Sequence, residues 1–445
     1  MEQKIKLESS LIKIVGIFSY TKHDIKRFID SGYKTIPIVE SESDPSNMDA
    51  AKKATLDFYK DTYYKEFAEI MLIGQGKNIK HTVKPFNNSK KLSSLAIKIG
   101  RNQNSRWINV NIENRELFLF DNSIGIFAVT ILSDEQNLND ISDITAFARN
   151  FSCEVMYESI VTNFEKWISE FVLCGIPLKG SIADDFSGSK FKIYSILNID
   201  EKNAQPDYDR SHLLYEIGTG SKLGTIKDGG YYAPSSIYTD QLLENRISIF
   251  NNWDALCLLD SFTVIGGDVY SKSTTEYHKH HSWNRVYFSI YIYNLFMRYS
   301  LFMFNHKFLD DEIEARDQYQ EFLNRYNFKY ISFNFLPNIL FEGIRKGLNL
   351  ENEIDFFENR IGNLANSIQD KQEKRQALLL GIISILSSIS AIEPIIELLN
   401  NTRDWLGWSN FLFYTLLLLF VILIGMPIMI YLFPGFYKKI KNKWL

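Results

Sequence analysis

Three constellations in this chain hold residue types that could do chemistry. The first is Gly218-Thr-Gly-Ser-Lys-Leu-Gly-Thr-Ile-Lys-Asp-Gly-Gly230. Glycines let backbone N–H groups close around a phosphate, and Lys222 or Lys227 would add charge. The stretch lacks the Gly-Lys-Ser/Thr ending of a Walker loop, so a hairpin turn is its plain alternative. Gly218, Gly220, Ser221 and Lys222 are its candidate phosphate-side ligands, with Trp253 as a face on which a base could stack. The second is His278-Lys-His280-His281 beside Glu276. Imidazoles suit transition metals, but adjacent histidines rarely converge on one ion, which favours a solvated loop. The third, Gly175-Ile-Pro-Leu-Lys-Gly-Ser-Ile-Ala-Asp184-Asp185, has an acidic end that could hold a metal. No second acidic partner accompanies it beyond Asp121, so it reads as a turn and strand. No Ser-His-Asp, HExxH or Walker arrangement is present, and no enzymatic activity is expected.

The elements that would position these residues read as α+β. Trp107–Ile112, Glu116–Phe120 and Gly125–Ile131 read as strands, the last two joined by a turn at Asp121-Asn122-Ser123. Leu213–Ile217, Ile247–Phe250 and Ala255–Ile265 read as further strands. Asp140–Asn150, Tyr157–Leu173, Trp283–Phe304 and Asp310–Tyr326 read as helices. Ser46 and Asn88-Ser89 fall in polar stretches expected to be loops. Three cysteines without a CxxC, in 445 residues, exclude a disulfide framework or zinc knuckle and fit a reducing compartment. A formal net charge of −4 gives no nucleic-acid signature, and no direct nucleic-acid partner is expected. The first ten residues contain no apolar run, so no signal peptide is expected.

The last quarter of the chain changes character. Ile354, Phe357, Ile361, Leu364 and Ile368 alternate by three and four residues, an a/d seam on a polar helix. Two apolar stretches follow, Ala377–Leu399 and Phe411–Phe433, each near the ~20 residues a spanning helix needs. Lys371, Lys374 and Arg375 precede the first, and Lys438, Lys439, Lys441 and Lys443 follow the second. By the positive-inside rule both termini face the cytoplasm and the hairpin crosses the inner membrane twice. Gly381, Ser384, Ser388 and Ala391 fall on one helical stripe, which suits close helix packing or a pore lining. Glu393 and Glu397 follow, either as loop acids or as carboxylate rings at an outer mouth. Pro394 predicts that the helix ends or kinks at Glu393. The expected domains are an α+β sensor over 1–335, stalk helices over 336–376, a two-span hairpin over 377–435 and a basic tail over 436–445.

From residue 352 onward the chain resembles the CorA family of divalent-cation channels. A cytoplasmic domain, a stalk helix, two spans and a basic tail carry the resemblance. The family's Gly-Met-Asn motif belongs at the outer end of the first span, where this chain reads Ser390-Ala391-Ile392-Glu393-Pro394. Its Gly425-Met426 lies in the second stretch. In outline the chain is similar to a divergent CorA-like group that accompanies type III CRISPR systems and lacks the motif. That resemblance implies a homopentameric membrane effector, opened in antiviral defence by the nucleotide second messenger SAM-AMP, with a divalent cation as permeant ion. The alternatives are a constitutive magnesium transporter and a membrane-anchored enzyme acting on nucleotides.

Overall fold

The computed structural model describes residues 5–36, 48–73, 83–100, 105–133, 137–200, 209–229, 233–267, 282–308 and 312–406, with 414, 415 and 418. The histidine cluster, Ser46, the basic tail and almost all of the second apolar stretch lie outside them. The chain divides into a unit from Met1 to Phe357 and another from Glu358 to Leu445.

The first unit is built on one 12-stranded mixed sheet. Its strands are β1 (Leu7–Ser19), β2 (Lys34–Thr35), β3 (Lys84–Asn88), β4 (Leu95–Ile99), β5 (Arg106–Leu119), β6 (Ile124–Ser133), β7 (Glu154–Tyr157), β8 (Ile160–Asn163), β9 (Lys192–Ile199), β10 (Arg246–Phe250), β11 (Trp253–Leu258) and β12 (Ser261–Gly266). The helices are α1 (Lys22–Asp30), α2 (Met48–Thr62), α3 (Lys65–Phe67), α4 (Leu138–Ala148), α5 (Phe164–Phe171), α6 (Ile182–Ser187), α7 (Arg210–Thr219), α8 (Thr225–Asp228), α9 (Ser236–Leu243), α10 (Tyr287–Lys307), α11 (Glu312–Tyr326), α12 (Phe335–Gly347) and α13 (Leu350–Leu406). The spatial order runs β10-β11-β12-β9-β1-β6-β5-β4-β7-β8, with β3 also on β5 and β2 on β3. All pairings are antiparallel except β9 with β12.

The central strands are apolar on both sides, as a doubly covered sheet requires. Alternate β1 residues Ile12, Ile14 and Phe18 join Phe127, Val129 and Ile131 of β6 in a core shared with α4, α5 and α7. On the opposite face lies α10, apolar around most of its circumference and buried accordingly. Phe120 stacks on Phe296 of α10 at 3.9 Å between ring centres, and Phe118 meets Phe288 edge-on. One ion pair is sealed into this second layer. Lys13 of β1 has no exposed surface, donates to Glu116 of β5, and lies 4.2 Å from the Phe288 ring centre. A charge so placed is tolerable only because it is paired.

Several expected elements take another form. Leu213–Ile217 is helical within α7, capped by Asp209, whose carboxylate accepts from the Ser211 N–H at 2.8 Å. The stretch expected as one helix over Tyr157–Leu173 is the β7–β8 hairpin followed by α5, whose N-cap is Asn163. Ala255–Ile265 is two strands, β11 and β12. Asn88 belongs to β3 and is buried. Asp184 and Asp185 lie on α6 rather than a strand.

The largest correction concerns the C-terminal part. Among the described residues no helix is long and apolar enough to cross a membrane. This overturns the two-span hairpin and, with it, the membrane-protein, ion-channel and inner-membrane expectations. Residues from Leu350 to Leu406 form one helix, α13, which continues through Pro394 instead of closing there. The stretch expected as the first span is thus part of a helix that also carries Glu373, Lys374 and Arg375 before it and Glu393, Glu397, Arg403 and Asp404 within or after it. Serines at 384, 387 and 390 interrupt its apolar surface. Expected second-span residues lie outside the described set apart from 414, 415 and 418.

Candidate functional site

The glycine segment is the C-terminal end of a helix and the turn beyond it. Gly218 lies in the last turn of α7, where an added Cβ would come 3.2 Å from Leu258. Gly220 terminates the helix at φ 71°, a left-handed conformation that glycine adopts without penalty. The turn's amides face an internal acid: the Gly224 and Ile226 N–H groups each donate to the Glu216 carboxylate at 3.0 Å. Arg149 covers the helix end and donates to the Thr219 carbonyl at 3.1 Å. A helix C-terminus carries partial negative charge, so it attracts this cation rather than a phosphate. Ser221 bonds Thr219 side chain to side chain at 2.8 Å, and Lys222 is exposed. Trp253 is not an open stacking face. It is buried on β11, edge-on to Trp283 at 5.3 Å.

The residues expected to line a pore lie on α13. Gly381, Ser384, Ser388 and Ala391 recur at helical spacing, and Glu393 and Glu397 are exposed four residues apart. Among the described residues no group of three or more histidine, cysteine or acidic side chains is placed to hold a metal ion.

The structure instead opens a cleft of about 710 Å³ where α12 hands over to α13. This volume is in the range of small-molecule sites. It is lined by Lys329, Arg345 and Lys346, by Glu342 and Glu351, and by Phe328 with the amides of Asn327, Asn349 and Asn352. Local sequence accounts for its shape. Pro337, Leu340, Phe341 and Ile344 recur at helical spacing and bury one face of α12. At the end of that helix, Gly347 lies so close to the Cys257 backbone that a Cβ would meet its carbonyl oxygen at 2.3 Å. Arg345 and Lys346 occupy the last turn, where cations complement the dipole. Asn349 then turns the chain at φ 58° and starts α13, its carbonyl accepting from Glu353 N–H at 3.3 Å. Asparagine tolerates this left-handed conformation better than most side chains.

Arg345 is the pivot of the cleft. It is only 6% exposed, with its guanidinium 5.3 Å from the Phe341 ring centre. Its Nε donates to Glu351 at 2.6 Å and one terminal nitrogen to Asn327 Oδ1 at 3.1 Å. The other terminal nitrogen, Nη1, is buried and has no acceptor among the described residues. A buried donor without an acceptor is costly, and in folded proteins it is answered by a water, an ion or a ligand. Lys346 donates to the Glu244 carbonyl at 3.1 Å, and Lys329 is exposed at the rim. The first turn of α13 forms one wall, and early N–H groups of a helix have no partner inside it. The arrangement can therefore take an anion on Arg345 and Lys346, with asparagine amides offering both donors and acceptors beside it.

None of these cleft residues was singled out by sequence reasoning. The available signal was the Arg345-Lys346-Gly347 ending of an amphipathic helix, followed within two residues by asparagine. Comparison with protein-family models, curated proteins and solved structures matches none of them.

Proposed function

We propose that this protein is a nucleotide-responsive sensor whose output element is α13. The observation that carries the reading is Arg345, a buried guanidinium with an unpaired donor in a cleft walled by the first turn of that helix. The ligand class follows from the lining: cations for phosphate, amides for a base edge and Phe328 for an apolar face. The resemblance to CRISPR-associated effectors makes SAM-AMP, an adenine nucleotide, the first ligand to test. No residue is proposed to catalyse a reaction.

In this reading the ligand phosphate competes with Glu351 for Arg345. Glu351 belongs to the first turn of α13, so displacing it changes what holds that turn. A ligand shifts an equilibrium only through a difference in its affinity for the two states, and exchange of the Arg345 partner supplies one. The output is self-association through the seam of Ile361, Leu364 and Ile368, each part-exposed on α13 in the single chain. Heptad spacing of apolar residues suits a coiled coil of several copies. The homopentamer is carried here by the resemblance alone.

Titration calorimetry of the full chain with SAM-AMP, ATP and adenosine tests the ligand reading. Saturable binding of a nucleotide that Lys346→Glu weakens supports it. Absence of binding by every nucleotide, with the chain folded, ends it. Mass measurement in solution tests the output: Leu364→Asp with Ile368→Asp should lower the oligomeric state.

A further inference from the structure

A second cluster of cations lies where parallel strands β9 and β12 begin. Lys192, the first residue of β9, is buried and donates to Asp260 in the turn between β11 and β12. Arg149 and Lys190 also act on that carboxylate: burial raises it, but Lys192, Arg149 and Lys190 outweigh burial and hold it below the ordinary aspartate value. Burial lowers the pKa of Arg298 on α10, while the negative charges of Glu353 and Asp260 act in the opposite sense. Arg149 is committed to the carbonyl end of α7. The remaining cations are less well satisfied. Arg298 reaches the Leu259 carbonyl only at 3.5 Å, and its buried Nε has no acceptor among the described residues. Lys190 is exposed at the rim.

The half-buried ring of Phe186 covers the cluster. Its centre is 5.2 Å from the Arg298 guanidinium and 5.7 Å from Lys192 Nζ. It is itself held by Tyr299 and Phe302 at 5.2 and 5.3 Å. An aromatic cover removes water from one side of the cations and strengthens their attraction for an anion. Three cations, Arg149, Lys190 and Lys192, act on the single carboxylate of Asp260, and Arg298 adds a fourth cation beside it. Asp260 keeps about a third of its side chain in solvent, so the cluster can be approached from outside.

We infer that Lys190, Lys192 and Arg298, with Asp260 orienting Lys192 and Phe186 as cover, form a binding site for a phosphoryl group. The group is either free phosphate or the terminal phosphate of a monoester. Several cations around one carboxylate favour an anion, and the Nε of Arg298, without an acceptor among the described residues, gives it a directed donor; guanidinium groups bind phosphate oxygens well. The site is independent of the cleft at Arg345 and does not require that reading.

The test uses the full chain, with inorganic phosphate and adenosine monophosphate titrated separately by calorimetry at fixed ionic strength. Lys190→Glu, at an exposed position, preserves the fold. It should weaken phosphate binding by about tenfold, the worth of one charged hydrogen bond, while circular dichroism shows the fold retained. Lys346→Glu removes a cation of the cleft and should leave the Lys190-dependent binding event in place. Arg298→Gln should abolish it, with circular dichroism checking the fold. Loss of monophosphate binding in Lys190→Glu assigns the site to a monoester; loss of inorganic phosphate binding alone assigns it to the free anion. No saturable binding of either would overturn the proposal. So would binding that ignores Lys190→Glu and disappears in Lys346→Glu, since the anion would then belong to the cleft.

Discussion

Glu351→Gln separates a ligand-competing carboxylate from a structural one. Glu351 accepts from Arg345 Nε at 2.6 Å, yet 62% of its own side chain is exposed. An ion pair with one partner so solvated contributes about 0–1 kcal/mol to folding. Glutamine keeps an acceptor for Nε, so the stability change should stay at the low end of that range. The ligand sees a larger difference. In the native chain its phosphate must displace a charged acceptor from Arg345, whereas in the variant it displaces a neutral one. Hydrogen bonds to charged groups exceed neutral ones by about 1 kcal/mol, or about fivefold in affinity. Calorimetry with SAM-AMP or ATP should therefore show Glu351→Gln binding about fivefold tighter than the native chain. Adenosine, which lacks phosphate, should bind the two chains equally. Weaker or unchanged nucleotide affinity in the variant would refute the competition, and equal tightening of adenosine would refute its electrostatic origin.

Other positions test the frame that carries the cleft. Lys13→Met leaves Glu116 buried without its partner and should cost about 3–5 kcal/mol in chemical denaturation; adding Glu116→Leu should recover most of that loss. Gly347→Ala drives a Cβ against the Cys257 backbone, which cannot move aside, and should cost about 1–3 kcal/mol while loosening the end of α12. Asp260 is more acidic folded than unfolded, despite the opposing effect of burial, because Lys192, Arg149 and Lys190 surround it. Its contribution is present above the ordinary aspartate value of 3.8 and disappears as pH falls through the lower folded value. Denaturation measured from pH 6 down to about 2 should show a shallower acid loss for Asp260→Asn than for the native chain.

Much of the sheet was legible. Strands β5 and β6 follow from alternation around the Asp121-Asn122-Ser123 turn, and Ser123 at φ 64° occupies that turn in the left-handed conformation. The α4 and α10 helices also lie close to their expected ranges. Errors fell where a short apolar run fits either period. Leu213-Leu214-Tyr215-Glu216-Ile217 is five residues long, and the neighbouring cap at Asp209 decides for helix. At residues 157–173 a two-residue turn at Glu158 and Ser159, both left-handed without glycine, was the missed signal. The C-terminal part failed differently. The apolar run over 377–399 has the length of a span and Pro394 the mark of a stop, whereas the helix that contains the run extends from Leu350 to Leu406 and continues through Pro394.

The cleft shows why sites are harder to read than elements. The glycine segment had the composition of a phosphate cradle, but a cradle requires free amides at a positive helix end. Here the amides face Glu216 at a negative end. Composition does not report which end of an element a turn occupies; the α7 assignment does. Arg345 had no distinctive sequence context, being one cation in the last turn of an amphipathic helix. Its importance arises from depth: burial of Leu340, Phe341 and Ile344 carries it below the surface, while Asn327 and Glu351 reach it from two other segments. Two neighbours use the forks available to them, and the third nitrogen remains unmatched. A surface arginine would solvate that nitrogen at no cost. At 6% exposure it cannot, so the geometry that sequence could not show is also what makes this residue the strongest candidate for contact with an anion.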